Sequence, residues 1–171
     1  MKVIHNQKRS KVYFDPVKDV FIKYFFPKWN NRLKYFLRFR KYPGNNFFFI
    51  ATELKKLNLN VPEILNFSHY SITMKNIHGV SLDEYLKNDY SKEILNDFIN
   101  IVVCILSNNI YSGDMGYGNF LIKNNKIYIV DLEDYRKVKF FKRDNSEAIR
   151  RMKGKVDDWV IEEIKRKLNL S

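Results

Sequence analysis

Residues 111–136, YSGDMGYGNFLIKNNKIYIVDLEDYR, decide how the chain is read. Three of its six glycines, Gly113, Gly116 and Gly118, fall here, so the backbone bends tightly around Asp114 and Asn119. Two β-prone runs follow, residues 120–123 and 126–132, joined by Asn124-Asn125, a pair suited to a two-residue hairpin turn. The stretch therefore presents a carboxylate and an amide on a loop, and then a strand that delivers a second carboxylate, Asp131. Oxygen donors gathered in this way suit a hard cation such as Mg²⁺ and leave Asp114 to meet a hydroxyl. Such a set fits phosphoryl transfer, where charge spread over the moving phosphoryl oxygens needs cations and positioning more than covalent chemistry.

Upstream, residues 11–14 and 20–25 are β-branched and aromatic runs separated by Asp15-Pro16, which predicts a hairpin with Lys23 in its second strand. Residues 29–42 read as a basic amphipathic helix stopped by Pro43-Gly44. Asn45-Asn46 are candidate N-caps for a second helix, whose apolar stripe is Phe47, Ile50, Leu54 and Leu57, with Glu53 at its flank. Residues 62–67 and 71–76 read as two further strands, and Ser81 to Glu84 has the spacing of a capping box. Residues 92–106 are apolar almost all round in their second half, as in a buried helix. Residues 146–168 give two amphipathic helices broken at Gly154. The class expected is α+β, sheet-rich first and helical afterwards.

At 171 residues the chain can bury a substantial core, and with 45% hydrophobic and 16% aromatic residues its composition excludes a disordered or collagen-like chain. One cysteine, Cys104, excludes an internal disulfide, and no cysteine and histidine cluster has zinc spacing. No apolar run is long enough to span a bilayer and no secretory leader is evident, so the expected location is the cytoplasm. The net charge of +12 points to an anionic partner. Residues 1–43 carry +10, residues 44–134 carry −4 and residues 135–171 carry +6. The acidic middle, which holds Asp114 and Asp131, suits cations.

The order Asp114, Asn119 five residues on and Asp131 twelve after that matches the protein-kinase signature of catalytic Asp, Asn and metal-binding Asp. Val20-x-x-Lys23 matches its strand lysine, which Glu53 could pair with from the next helix. Ser112-Gly113-Asp114, Gly118-Asn119-Phe120 and Ile129-Val130-Asp131-Leu132 resemble the catalytic core of the lipopolysaccharide core heptose kinases, small relatives of protein kinases and aminoglycoside phosphotransferases. The segment from Ile72 to Gly79, with Met74 and Asn76, looks like their fifth strand and adenine-holding hinge. The resemblance implies one compact kinase-like domain over residues 1–171, with a β-rich lobe to about residue 77 and a reduced helical lobe from about 78. It implies ATP and Mg²⁺ as cofactors, Asp114 as the group that meets the acceptor hydroxyl, and Asn119 and Asp131 as the metal ligands. Lys23 would hold the nucleotide phosphates, fixed by Glu53, with Met74 and Asn76 at the base.

The implied acceptor is a sugar hydroxyl, a heptose of the lipopolysaccharide inner core, reached at the inner face of the cytoplasmic membrane, with an anionic membrane surface as a further partner and no nucleic acid. Four features depart from the signature. No glycine precedes Gly44, so the first turn, residues 5–10, is basic rather than Gly-rich. Gly113 stands in place of the arginine of His-Arg-Asp, and Leu132-Glu133 in place of Phe-Gly. Gly116-Tyr117 stands where the heptose kinases tend to carry a His-Lys pair, so the loop itself brings no cation for a γ-phosphate. The alternative reading is a catalytically degenerate domain of this shape that binds nucleic acid or an anionic membrane.

Overall fold

A computed structural model describes residues 1–37, 39–138 and 145–170. The hairpin expected around Asp15-Pro16 is present as β2 (Ser10–Asp15) and β3 (Val20–Phe25), in register from Ser10 opposite Phe25 to Asp15 opposite Val20. A strand the sequence reading did not foresee, β1 (Lys2–Gln7), pairs antiparallel with β2 and is exposed along its whole length. The basic first turn is thus only Lys8-Arg9, and residues 5–7 belong to an edge strand whose polar side chains hid it. With β4 (Ile64–Phe67) and β5 (Ser71–Lys75) these strands make a five-stranded antiparallel sheet in the order β1-β2-β3-β5-β4.

The helices between β3 and β4 divide differently from expectation. Helix α1 (Trp29–Phe36) stops before Pro43-Gly44, and the expected extension to residue 42 includes Arg38, which lies outside the described residues. Pro43-Gly44 instead opens α2 (Pro43–Lys56), with Tyr42 as its N-cap and Pro43 in the first turn, where a missing N–H costs nothing. Asn45 and Asn46 are therefore inside the helix and are not its caps. Gly44 is needed for closeness: a Cβ there would stand 2.0 Å from the Ser68 carbonyl oxygen and 2.7 Å from that of Ser71. This contact seats the start of α2 on the β4–β5 turn, where Gly44 N–H donates to the His69 carbonyl (3.1 Å).

Ser81 caps α3 (Leu82–Asn88) by accepting from the Glu84 N–H, as the capping box predicts, and Ser91 does the same for α4 (Lys92–Ser107) from Ile94. Leu95, Phe98, Ile99, Val102, Ile105 and Leu106 of α4 are buried, making it the central helix. Around it lie β6 (Val80–Ser81), β7 (Ile110–Tyr111), β8 (Phe120–Lys123), β9 (Lys126–Ile129) and β10 (Arg136–Lys137), in a three-stranded sheet β6-β8-β9 and a β7-β10 pair. Asn124 and Asn125 both have positive φ, 49° and 57°, the backbone that a two-residue hairpin turn requires. Strand β9 ends at Ile129, three residues short of expectation, because Asp131 turns left-handed and residues 132–134 form a 3₁₀ turn. Helices α5 (Ser146–Arg150) and α6 (Asp158–Lys167) complete the chain on either side of Gly154. One apolar core joins α2 and β5 to α4, β8, β9 and α6. Trp159 of α6 is 42% exposed and donates from its indole N–H to the Tyr90 hydroxyl.

Candidate phosphoryl-transfer site

The loop after β7 is shaped by its own short polar residues. Ser112 Oγ donates to the Asp114 carbonyl and accepts from the Asp114 N–H, each at 3.1 Å, and the Asp114 carboxylate accepts from the Gly116 N–H at 3.2 Å. Asn119 Nδ2 donates back to the Asp114 carbonyl (3.3 Å), which holds the two ends of the Asp-x4-Asn motif together. The Asn119 carbonyl accepts from the Val130 N–H (3.0 Å), so Asn119 stands beside the end of the hairpin that delivers Asp131. Asp131 has φ 60° and ψ 48°, a left-handed backbone in a residue that is not glycine, and such strain concentrates where a side chain must be aimed.

Asp131 and Lys23 form an ion pair across 108 positions of sequence, and Glu133 Oε2 lies 2.6 Å from the same Lys23 Nζ. The Lys23 side chain is 9% exposed. Burial is the largest influence on this ammonium and alone would lower its pKa, yet the charges and hydrogen bonds of Asp131 and Glu133 outweigh it and the pKa is raised. The Glu133 pKa is also raised, by burial first, against the attraction of Lys23, with Asp131 adding repulsion. Glu133 Oε2 is buried against the Lys23 ammonium. Two carboxylates thus share the one Lys23 ammonium at this corner. Tyr135, fully buried, has a raised pKa from burial first and then from the charges of both Asp131 and Asp114.

Lys23 and Asp131 form the polar end of a cavity of about 250 Å³, otherwise lined mainly by apolar residues that include Val12, Phe21, Met74, Leu121 and Val130. An apolar slot with charge at one end suits a planar base joined to phosphates, so these residues fit ATP with Mg²⁺. Of the expected hinge residues, Met74 lines the cavity. Asn76 does not: its Nδ2 donates to Asp19 Oδ1 (3.0 Å) and its Oδ1 accepts from the His78 N–H (2.9 Å), which ties the segment after β5 to the β2–β3 turn.

The expected pairing of Lys23 with Glu53 is not formed, which corrects the sequence reading. Glu53 pairs with Lys137 of β10 and with Lys56 (2.6 Å), and these hydrogen bonds, Lys137 first, lower its pKa. Asp131 and Glu133 take its place on Lys23, because the left-handed turn at 131 and the 3₁₀ turn after it bring both carboxylates to β3. The only sequence signal for Glu133 was its position two residues after Asp131. Asn46 was also missed. Buried in the first turns of α2, it donates to the carbonyls of Glu133 (3.3 Å) and Tyr135 (3.0 Å) and so braces the segment that carries both carboxylates.

Lys155 is the third residue that sequence reasoning missed. Its Nζ lies 3.1 Å from Asp114 Oδ1, and Tyr117, which points into the core against Phe98, donates from its hydroxyl to Asp157 Oδ2 at 3.0 Å. Tyr117 thus anchors the segment that places Lys155. The cation lacking within the loop stands beside Asp114 from a distant part of the chain.

No protein-family model matches the chain, and no curated protein matches it in sequence. Among solved structures it is similar to the Rio2 kinase-ADP/Mg2+-phosphoaspartate complex from Chaetomium thermophilum, with a TM-score of 0.61 and 16% identity. The match covers 97% of this chain and 55% of that one, so the chain spans about half the length of the structure it matches. At this identity the likeness speaks for architecture, and it agrees with the five-stranded sheet, the helix α2 packed on it and the loop–hairpin unit beneath: the chain has an α+β, protein-kinase-like fold.

Proposed function

We propose that this chain is an ATP-dependent phosphotransferase that acts on a sugar hydroxyl, with a heptose of the lipopolysaccharide inner core as acceptor, in the cytoplasm where ATP is supplied. The observation that carries the reading is a chain of contacts among the four residues: Lys23 pairs with Asp131 at the wall of an apolar cavity, and Asn119, which bonds back to Asp114, accepts from the Val130 N–H next to Asp131. The sugar acceptor rests on the resemblance of residues 111–135 to the heptose kinases.

Each residue then has a task. Val12, Phe21, Met74 and Leu121 enclose the base and exclude water from it. Lys23 exchanges carboxylate contacts for nucleotide phosphates, and Asn119 and Asp131 hold the metal, whose charge offsets that of the phosphates when it is bound. Asp114 orients the acceptor hydroxyl and takes its proton on a carboxylate oxygen as the new P–O bond forms, the β–γ bridge breaks and ADP leaves. Lys155 stands beside the Asp114 carboxylate and adds a positive charge next to the incoming phosphoryl group.

The test is incubation of the protein with ATP, Mg²⁺ and lipopolysaccharide inner-core oligosaccharide, with the phosphate located by mass spectrometry. Phosphate on a heptose hydroxyl is the expected product. MgATP binding without transfer to any sugar would overturn the acceptor, and absence of MgATP binding would return the chain to a degenerate domain that binds other anions through its basic surface.

A further inference from the structure

Helix α1 carries an apolar stripe that nothing in the described structure covers. Trp29 is 77% exposed and Phe36 76%, and Leu33 and Leu37 are exposed between them. At 3.6 residues per turn these four side chains share roughly 100° of one face. On the opposite side Tyr35 is buried, its ring tilted against that of Tyr42 with centroids 5.6 Å apart. The helix has therefore buried the face that the fold requires and directs its larger apolar face outward. Contiguous exposed aromatics of this kind mark an interaction surface.

The charge around the stripe indicates the partner. Residues 26–42 hold six Lys or Arg and no Asp or Glu. Arg32 flanks one edge of the stripe and Lys34 the other, both exposed, with Lys28, Arg40 and Lys41 exposed beyond its ends. Hydrocarbon flanked by cations on both sides is complementary to a layer of anionic headgroups with acyl chains behind it. A nucleic acid duplex would satisfy the cations and offer nothing to Trp29 and Phe36. A second copy of the chain would set +12 against +12.

We propose that the outward face of α1 docks this protein on an anionic phospholipid surface, with Trp29, Leu33, Phe36 and Leu37 entering the headgroup region and Arg32 and Lys34 meeting lipid phosphates. The inner face of the same helix lines a small cavity, through Asn31 and Tyr35, together with Glu133 and Asp134. Docking thus fixes the metal-holding loop close to the membrane plane, where a lipid-anchored sugar would be presented. This last point rests on the phosphotransfer reading; the docking itself does not.

The test uses vesicles of phosphatidylcholine with and without phosphatidylglycerol, read by co-sedimentation and by tryptophan emission. Trp159→Phe leaves Trp29 as the only tryptophan. Binding is expected with phosphatidylglycerol, to weaken as salt rises, and to shift Trp29 emission to the blue. Trp29→Ser with Phe36→Ser should lower partitioning about tenfold or more, and Arg32→Gln or Lys34→Gln about fivefold each. All four positions are exposed, so circular dichroism and the thermal midpoint should not change. Equal binding to the two kinds of vesicle would overturn the proposal, as would binding indifferent to the stripe substitutions. So would a Trp29 shift produced only by duplex DNA or by raising protein concentration. Loss of phosphotransfer with vesicle binding intact would sink the enzyme reading alone.

Discussion

Lys155 Nζ and Asp114 Oδ1 are 3.1 Å apart, and the glycine at 116 makes the approach possible. A methyl group on residue 116 would stand 2.9 Å from Lys155 Cβ, 3.2 Å from its Cδ and 3.4 Å from Asp114 Oδ1. The loop thus lacks a side chain where Lys155 crosses it. Both partners are about half exposed, so the pair does little for stability. Its value lies in keeping a positive charge beside the carboxylate.

Lys155→Met should lower phosphotransfer about ten- to a hundredfold and weaken MgATP binding more than MgADP binding, because only ATP carries the γ-phosphate. Gly116→Ala should displace the lysine stem and reproduce part of this loss. The double variant should then be no worse than Lys155→Met, since both changes remove the same contact. An unchanged ATP-to-ADP affinity ratio in Lys155→Met would count against the role.

Asp114→Asn keeps the size of the side chain and an acceptor for the Gly116 N–H, so the loop should stay folded. Turnover should fall by about 10² to 10⁴, the usual share of a general base, with MgATP affinity within a few-fold. Turnover within threefold of the unaltered protein on the same acceptor would remove Asp114 from the chemistry.

Lys23→Met leaves Asp131 and Glu133 facing each other without their cation. Because Asp131 is 43% exposed, the cost should fall below that of a fully buried pair, about 1–3 kcal/mol in urea unfolding. Adding Glu133→Gln should recover part of it. Glu53→Gln combined with Lys23→Met should be additive, since Glu53 pairs elsewhere. Coupling between positions 23 and 53 instead would contradict the ion pairs seen here.

Asp131→Asn removes a carboxylate from the proposed metal site, and Mg²⁺-dependent nucleotide binding should drop while the fold persists. Isothermal titration with MgATP, and with ATP in EDTA, separates the two contributions. Equal affinities for MgATP in variant and parent would exclude Asp131 as a ligand.

Asn46→Leu leaves the Glu133 and Tyr135 carbonyls without their side-chain donor. The expected cost is about 1–3 kcal/mol, or a fall of roughly 2–10 °C in the thermal midpoint for a chain of this size. A midpoint unchanged within a degree would mean that α2 does not brace the metal loop.

The sequence by itself determined what is local. The β2–β3 hairpin, the Ser81 cap, the buried face of α4 and the Asn-Asn turn follow from spacing and from residues whose backbone preferences act over a few positions. The Asp114, Asn119 and Asp131 motif was legible for the same reason, since loop and hairpin lie within one short stretch. The tertiary structure alone decided which groups meet across the chain. A pattern of apolar positions places Glu53 at the edge of a helix face but does not say which lysine it meets; the left-handed turn at Asp131 gave Lys23 to Asp131 and Glu133, and β10 brought Lys137 to Glu53. Asn46 read as a cap until packing placed it under the metal loop. Lys155 carried no signal, because a cation on a solvated turn looks like any other until Tyr117, Asp157 and the open space at Gly116 bring it to Asp114. Charge partners depend on distances between segments far apart in sequence, and only the packed core fixes those distances.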